Sequence, residues 1–318
     1  MRVVAVVFGL CISVGLAQGA SELAPGVDLI PGKFVAGTQP DGNTVVFTTT
    51  DGLVVFDTGR HPEHTQQIVD FANAAKKPVV AIVNSHWHLD HVGGNVMLRA
   101  KYPGVRVYAS GAIEDAMHGF LANYRAQLED AIKQAGDDTA KQAPWRAELA
   151  LIDAGPKLSP DERIGESSTG TIAGHKFNVG FESHAVTAGD VWLFDPATRV
   201  LASGDLVTLP APLFDTACAE HWKSALGRLA AIDFKVLVPG HGAPMGHADL
   251  ATYRRAFDRL LECAADKSPK EACIDGWMKD AAPLIPVGDA KLARSLLDYY
   301  VDGSLRGDPA QNAKLCAG

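Results

Sequence analysis

Hydrophobic positions along this chain change period several times, and each change marks an element. Between 27 and 59, short β-branched and aromatic runs at 34–36, 44–50 and 53–56 are separated by Pro40-Asp41-Gly42-Asn43 and Asp51-Gly52. Runs of this kind broken by turn residues predict a β-meander. Over 61–76, Ile68, Phe71, Ala72 and Ala75 fall at helical spacing, and Pro78 then opens the apolar run 79–83. An unbroken apolar run suits a strand covered on both faces, so a helix is expected to cross between neighbouring strands here. A helix over 95–102 and a strand over 105–109 continue the alternation.

From 112 to about 142 the chain is rich in Ala, Glu, Gln and Lys, with Ile113, Met117, Phe120, Leu121, Tyr124, Leu128 and Ile132 spaced for an amphipathic helix or pair of helices. Strands are expected again over 171–181, 190–194 and 200–202, then a helix over 219–231 and a strand over 235–238. The remainder reads as mostly helical. No repeat or low-complexity linker divides the chain, so it is expected to be one α/β domain over 20–250 with a helical C-terminal extension over 251–318 packed on it.

Composition adds exclusions. With 47% hydrophobic and 21% charged residues in 318, there is ample material for a core, which rules out a disordered chain. Lys+Arg 29 against Asp+Glu 37 gives a net charge of -8 without a basic run, which argues against nucleic acid as a partner. Residues 1–19 read as a secretory signal: Arg2 beside the start, an apolar run from Val3 to Leu16, then small residues at Ala17, Gly19 and Ala20. The run is too short and too interrupted by Gly9, Ser13 and Gly15 for a membrane span, so a periplasmic or secreted protein without stable membrane insertion is expected. Removal of Cys11 with that signal leaves Cys218, Cys263, Cys273 and Cys316, and an even count in an exported chain suggests disulfides. Three pairings are open; the short interval from Cys263 to Cys273 makes that pair the first choice, leaving Cys218 with Cys316.

The strongest chemical signal is His86-Trp87-His88-Leu89-Asp90-His91, placed directly after the buried run at 79–83. At two-residue spacing in extended backbone, His86, His88 and Asp90 project to one side, while His91 is turned differently. One short loop can therefore serve two adjacent ions. Imidazole and carboxylate are the ligands zinc favours, and further groups must come from distant segments. The candidates each follow an expected strand: His184, Asp205 in Ser203-Gly204-Asp205, and His241 in Gly240-His241-Gly242.

These motifs resemble those of the metallo-β-lactamase superfamily over about 27–245, including an early strand that ends in Asp57-Thr58-Gly59. The resemblance implies a four-layer αββα sandwich with two zinc ions at its edge; iron and manganese suit the same ligand types. Carried over position by position, it implies His86 and His88 with a third His at the first ion, Asp90, His91 and His241 at the second, and Asp205 bridging both. Asp57 is implied to support the ligand loop from behind.

One position departs from the family pattern. The third His normally stands immediately before Thr in an HTxGD motif, but Val186 occupies that place before Thr187, and His184 lies two residues earlier. On a strand these positions are about 6.8 Å apart. A bulge or longer loop would bring His184 into place as the third ligand; otherwise His175 substitutes, or the first site is incomplete.

The resemblance implies hydrolysis of an ester, lactone, thioester or amide of a small molecule by a metal-bound hydroxide, with Asp90 as catalytic residue and ligand. Asp205 leans away from a dedicated β-lactamase, although β-lactam turnover stays within the chemistry. The alternative class is a non-enzymatic or one-metal accessory protein on the same scaffold. Met117, His118, Phe120, Tyr124 and Trp145 are either core or a lid over the metals, and His221 and Trp222 are candidate wall residues.

Overall fold

A computed structural model describes residues 19–34, 38–266 and 268–317. The expected signal at 1–19 therefore lies almost wholly outside the described residues, as do Val35 and Ala36 of the first expected run. Seven strands form one sheet in sequential order: β1 (Ser21–Ala24), β2 (Val27–Ile30), β3 (Thr44–Thr48), β4 (Leu53–Phe56), β5 (Val79–Val83), β6 (Arg106–Ala109) and β7 (Glu162–Arg163). The second sheet holds β8 (Ser168–Ile172), β9 (His175–Ser183), β10 (Gly189–Asp195), β11 (Val200–Thr208) and β12 (Val236–His241), with β12 and β8 at its edges.

Three helices belong to the first half: α1 (Pro62–Ala75), α2 (Leu89–Val92) and α3 (Asn95–Lys101). Next come α4 (Ala112–His118), α5 (Phe120–Gln134) and α6 (Thr139–Asp153), which form an insertion between β6 and β7. The last five are α7 (Ala219–Ala230), α8 (His247–Ala265), α9 (Lys270–Asp280), α10 (Ala290–Tyr300) and α11 (Pro309–Cys316).

The layers follow from alternation along strands. In β4, Val54 and Phe56 face inward between the sheets against Phe177, Val191 and Leu193, while Leu53 and Val55 face outward onto Ile68 and Ala72 of α1. Both faces are buried, which is why Leu53-Val54-Val55-Phe56 carries no polar residue. On the outer face of the second sheet, Leu201 and Leu237 share a core with Trp222 of α7, Phe257 of α8, Trp277 of α9 and Leu297 of α10. The result is helix, sheet, sheet, helix, with helices from the C-terminal part covering the second sheet.

Local signals set the ends of the helices. Pro62 opens α1, where its missing N–H is no loss, and Lys76 closes it in the left-handed region at φ 53°. Two disulfides staple the C-terminal helices, Cys263 to Cys273 between α8 and α9 and Cys218 to Cys316 between the segment before α7 and the end of α11. Among the described residues no helix is long and apolar enough to cross a membrane.

Two strands run further than their sequences suggest. β11 continues past Ala202 to Thr208 and β12 past Val238 to His241, so Asp205 and His241 lie within strands. The register between them shifts at Gly204, whose φ of 53° is cheap only for glycine. That irregularity hides the strand from a pattern reading and re-aims Asp205. Pro239 is tolerated because β12 is an edge strand.

Candidate metal centre

The carboxyl ends of β4, β5, β11 and β12 meet at one edge of the sandwich, and β4–β5 and β11–β12 are parallel pairs. Parallel pairing sends the loops after these strands to the same edge, so distant segments converge. The structure brings six of the expected ligands together in two groups: His86, His88 and Asp205, and Asp90, His91 and His241. Within each group one ligand atom per residue lies within 4.8 Å of the others.

Asp205 stands between the groups. Its Oδ2 is 3.8 Å from His86 Nε2, and its Oδ1 is 3.3 Å from His91 Nε2 and 3.6 Å from His241 Nε2. Asp90 Oδ2 lies 3.0 Å from His241 Nε2 and 3.6 Å from His91 Nε2. Small residues make room: a side chain on Gly240 would begin 1.9 Å from Asp205 Oδ1, and one on Gly204 would strike the side chain of Ser85.

Proton accounting shows which ring nitrogens are free. Asp57, buried at φ 60°, accepts from the backbone N–H of Ser85 at 2.7 Å and from the Ser85 hydroxyl at 2.7 Å. That hydroxyl has a single proton, so at its 2.9 Å contact with His86 Nδ1 it must accept, and Nδ1 carries the proton. Asp57 Oδ2 also accepts from His91 Nδ1 at 2.8 Å. On the other side, the Thr216 hydroxyl donates to Val186 O at 2.9 Å and so accepts from His88 Nε2 at 3.3 Å. One carboxylate and two hydroxyls thus leave lone pairs on His86 Nε2, His91 Nε2 and His88 Nδ1.

Two of those lone pairs, on His86 Nε2 and His91 Nε2, have no hydrogen-bond partner among the described residues. His86 Nε2, His91 Nε2, His241 Nε2 and both oxygens of Asp205 are buried without a hydrogen bond among the described residues. Buried polar atoms are normally satisfied, and five orphans facing one another are what a metal-binding site presents to its metal. The donor set of imidazoles and carboxylates fits zinc and iron alike.

Electrostatics separate the two groups. Burial, together with His91 and His88, holds His86 well below the ordinary imidazole range, and burial lowers His88, so both are neutral near pH 7. Burial opposes a charge on His91 too, but Asp205, Asp57 and Asp90 outweigh it and raise its pKa well above the usual value. Burial likewise works against ionisation of Asp205 and Asp90, yet both are pulled well below the carboxylate range, chiefly by His91.

His184, the expected third ligand, is elsewhere. It sits just past β9 at φ 53°, and its Nδ1 hydrogen-bonds Leu315 O of α11 at 3.1 Å. The β9–β10 register runs without a shift from Asn178↔Phe194 to Ser183↔Gly189, so no bulge carries His184 forward. Asp190 locks the intervening turn by accepting from the N–H groups of Val186 and Thr187 and from the Thr187 hydroxyl. Val186 is fully buried at the position where a third imidazole was sought. His175 lies at the far end of β9, bonded to Asp195 at 3.0 Å.

Other features were not legible in the sequence. Arg60, buried directly after the Asp57-Thr58-Gly59 turn, reaches Asp90 Oδ1 at 3.4 Å and makes a short ion pair with Glu148 of α6. Tyr124 donates to the same Glu148 carboxylate at 3.4 Å. Beside the cluster lies a pocket of about 340 Å³ that includes His88 and Asp90 in its lining. Phe120 and Tyr124 are on its wall, whereas Met117 and Trp145 pack inside the insertion. His221 is exposed and Trp222 is core, its Nε1 donating to Leu206 O.

Residues 37–264 match the family described as the metallo-beta-lactamase superfamily. A linear primary-alkylsulfatase of Pseudomonas sp. is 26% identical over 213 residues, 61% of this chain and 40% of that protein. A hydroxyacylglutathione hydrolase of Synechococcus sp. is 43% identical over 65 residues, 20% of this chain and 26% of that protein. The chain thus spans well under two thirds of these relatives. Among solved structures, a metallo-beta-lactamase from Pontibacter korlensis superimposes with a TM-score of 0.54 at 24% identity, covering 75% of this chain and 98% of that one. One from Hirschia baltica gives 0.53 at 19% identity, covering 74% and 95%; at these identities the likeness shows the fold.

Proposed function

The chain belongs to the metallo-beta-lactamase superfamily, and on that premise we propose that it is an exported hydrolase that works with two zinc ions. The observation that carries this reading is the position of Asp205, one carboxylate oxygen toward each ligand group. His86, His88 and Asp205 would hold one ion, and Asp90, His91 and His241, with the other oxygen of Asp205, the second. Bound zinc supplies Lewis acidity and lowers the pKa of water from 15.7 to about 7, which removes the need for a Ser or Cys nucleophile.

The chain's own residues do the positioning. Asp57 and Ser85 fix the rings of His86 and His91, and Arg60 holds Oδ1 of Asp90 so that Oδ2 faces the cluster. Asp90 would align the attacking water, accepting a hydrogen bond from it. The pocket beside His88 and Asp90 receives the substrate and displaces water from the cluster. The relatives named as a linear primary-alkylsulfatase and a hydroxyacylglutathione hydrolase support a hydrolytic reading in which an acyl or alkyl group is released. Two disulfides support an oxidising compartment, hence export to the periplasm or beyond.

Val186 in place of a third imidazole favours a second reading, a one-metal accessory protein without turnover. Elemental analysis of the purified protein together with hydrolysis of a reporter ester, thioester, lactone, alkyl sulfate and cephalosporin separates the two. Two zinc per chain with turnover is the expected result; one ion or none, with no turnover across the panel, overturns the hydrolase.

A further inference from the structure

We propose that the substrate of this hydrolase is a carboxylic ester whose acyl part is an apolar chain without an anionic group. The inference rests on the hydrolase reading and adds the substrate class. Phe34, Trp87, Phe120, Leu121, Leu213 and Leu296 are among the apolar side chains that line the pocket, and His88 and Asp90 join it to the metal ligands. They come from four places in the fold: the edge loops, the start of α5, the segment after β11, and α10.

The aromatic residues form a continuous track. Phe120 is 45% exposed, one of few large apolar side chains at the surface. Its ring lies 5.3 Å from Trp87, and Trp87 lies 4.5 Å from His88. An apolar path from solvent to a metal ligand is what a greasy substituent follows as its ester group reaches the cluster.

Charge on the wall excludes acids. Arg60 is the one cation lining the pocket among the described residues, and two carboxylates, Glu148 and Asp90, already engage it. Asp215 also lines the pocket; it is exposed and held by the Tyr300 hydroxyl, with no cation in contact. A carboxylate entering here meets Asp215 with no free cationic side chain among the described lining residues, whereas a methyl-terminated chain can lie along the Leu and aromatic part of the wall. The reaction balances without an oxidant: the acyl C–O bond breaks, water oxygen forms the new acyl C–O bond, and its proton ends on the departing alkoxide, giving an acid and an alcohol.

The test uses the zinc-loaded protein and p-nitrophenyl esters from acetate to octanoate, with chains of matched length ending in carboxylate. We expect kcat/KM to rise about three- to fourfold per methylene until the pocket fills, and the ω-carboxylates to fall about tenfold below their neutral partners. Phe120→Ala should lower the octanoate-to-acetate ratio about tenfold, and Asp215→Asn should raise the ω-carboxylate rate about fivefold. Calorimetric binding of unreactive n-alkyl amides runs in parallel. Turnover without chain-length preference, or with the ω-carboxylates favoured, overturns the substrate class and leaves the hydrolase standing. Chain-length-dependent binding without turnover of any ester overturns the ester assignment and keeps the pocket; the hydrolase itself falls only if the full reporter panel is also untouched.

Discussion

The two ligand groups that share Asp205 are built to different standards. Asp90, His91 and His241 supply three groups of their own, and the first two are braced from behind by Arg60 and Asp57. His86 and His88 supply only two, and behind His88 stands a neutral hydroxyl, that of Thr216, bonded to the carbonyl of Val186. His91 and His241 are buried by protein, while His88 of the first group and Asp90 of the second reach the pocket. A position short of one protein ligand keeps coordination free for water or substrate, which is the arrangement of catalytic rather than structural sites. On the proposed two-ion function this asymmetry would give the groups different work, the second anchoring and the first receiving substrate.

The largest break in that division is at the shared carboxylate. Asp205→Asn removes the charge that both positions draw on, and we expect loss of both ions by elemental analysis and about a thousandfold lower turnover. Retention of either ion at full occupancy would mean that the carboxylate does not bridge.

A smaller and more selective effect comes from the two braces. Thr216→Ala should weaken the first ion about 10- to 100-fold in competition with a chelator and spare the second, whereas Arg60→Met should do the reverse. Because Arg60→Met also leaves Glu148 buried and unpaired, it is expected to cost about 3–5 kcal/mol of stability, and Arg60→Met with Glu148→Leu restores that loss. Equal weakening of both ions by either single variant would erase the distinction between the groups.

The smallest effect is a matter of protons. With no metal bound, His91 has its pKa raised well above 6.5, so at pH 7 it carries a second proton, on Nε2, that an ion must displace; His86 and His88, lowered by burial, carry only the single proton of a neutral ring. Uptake at the second position should release about one proton and lose affinity about tenfold per pH unit below the raised value, while uptake at the first releases none near neutrality. The same raised value stabilises the metal-free fold fully below about pH 6.5, and that contribution fades as pH rises through the folded-state pKa of His91. Calorimetric titration in two buffers of different ionisation enthalpy measures the protons released at each step.

Much of this was legible in the chain before any fold was known. The loop 86–91 could be read because its ligands are close in sequence, and the run at 79–83 announced the strand that aims it. Asp205 and His241 were found through Gly-Asp and Gly-His turns, although the strands that carry them were drawn too short, since a bulge glycine and a proline interrupt the apolar pattern. His184 was misplaced because spacing along a strand says nothing of which way a left-handed turn points a ring. Arg60, Glu148, Thr216 and Asp215 had no local signal at all; ordinary polar residues become site residues only through their neighbours.

By itself the sequence determined the alternation of strands and helices, the cluster of imidazoles at the end of one strand and the number of cysteines available for pairing. These depend on period and composition, which are local properties of a chain. Tertiary structure alone decided that Asp205 faces both ligand groups, that His184 bonds the C-terminal helix, and that two carboxylates 58 positions apart, Asp90 and Glu148, share one guanidinium. Such facts turn on ångström distances between segments brought together by burial of the two sheets, and no reading along the chain contains them.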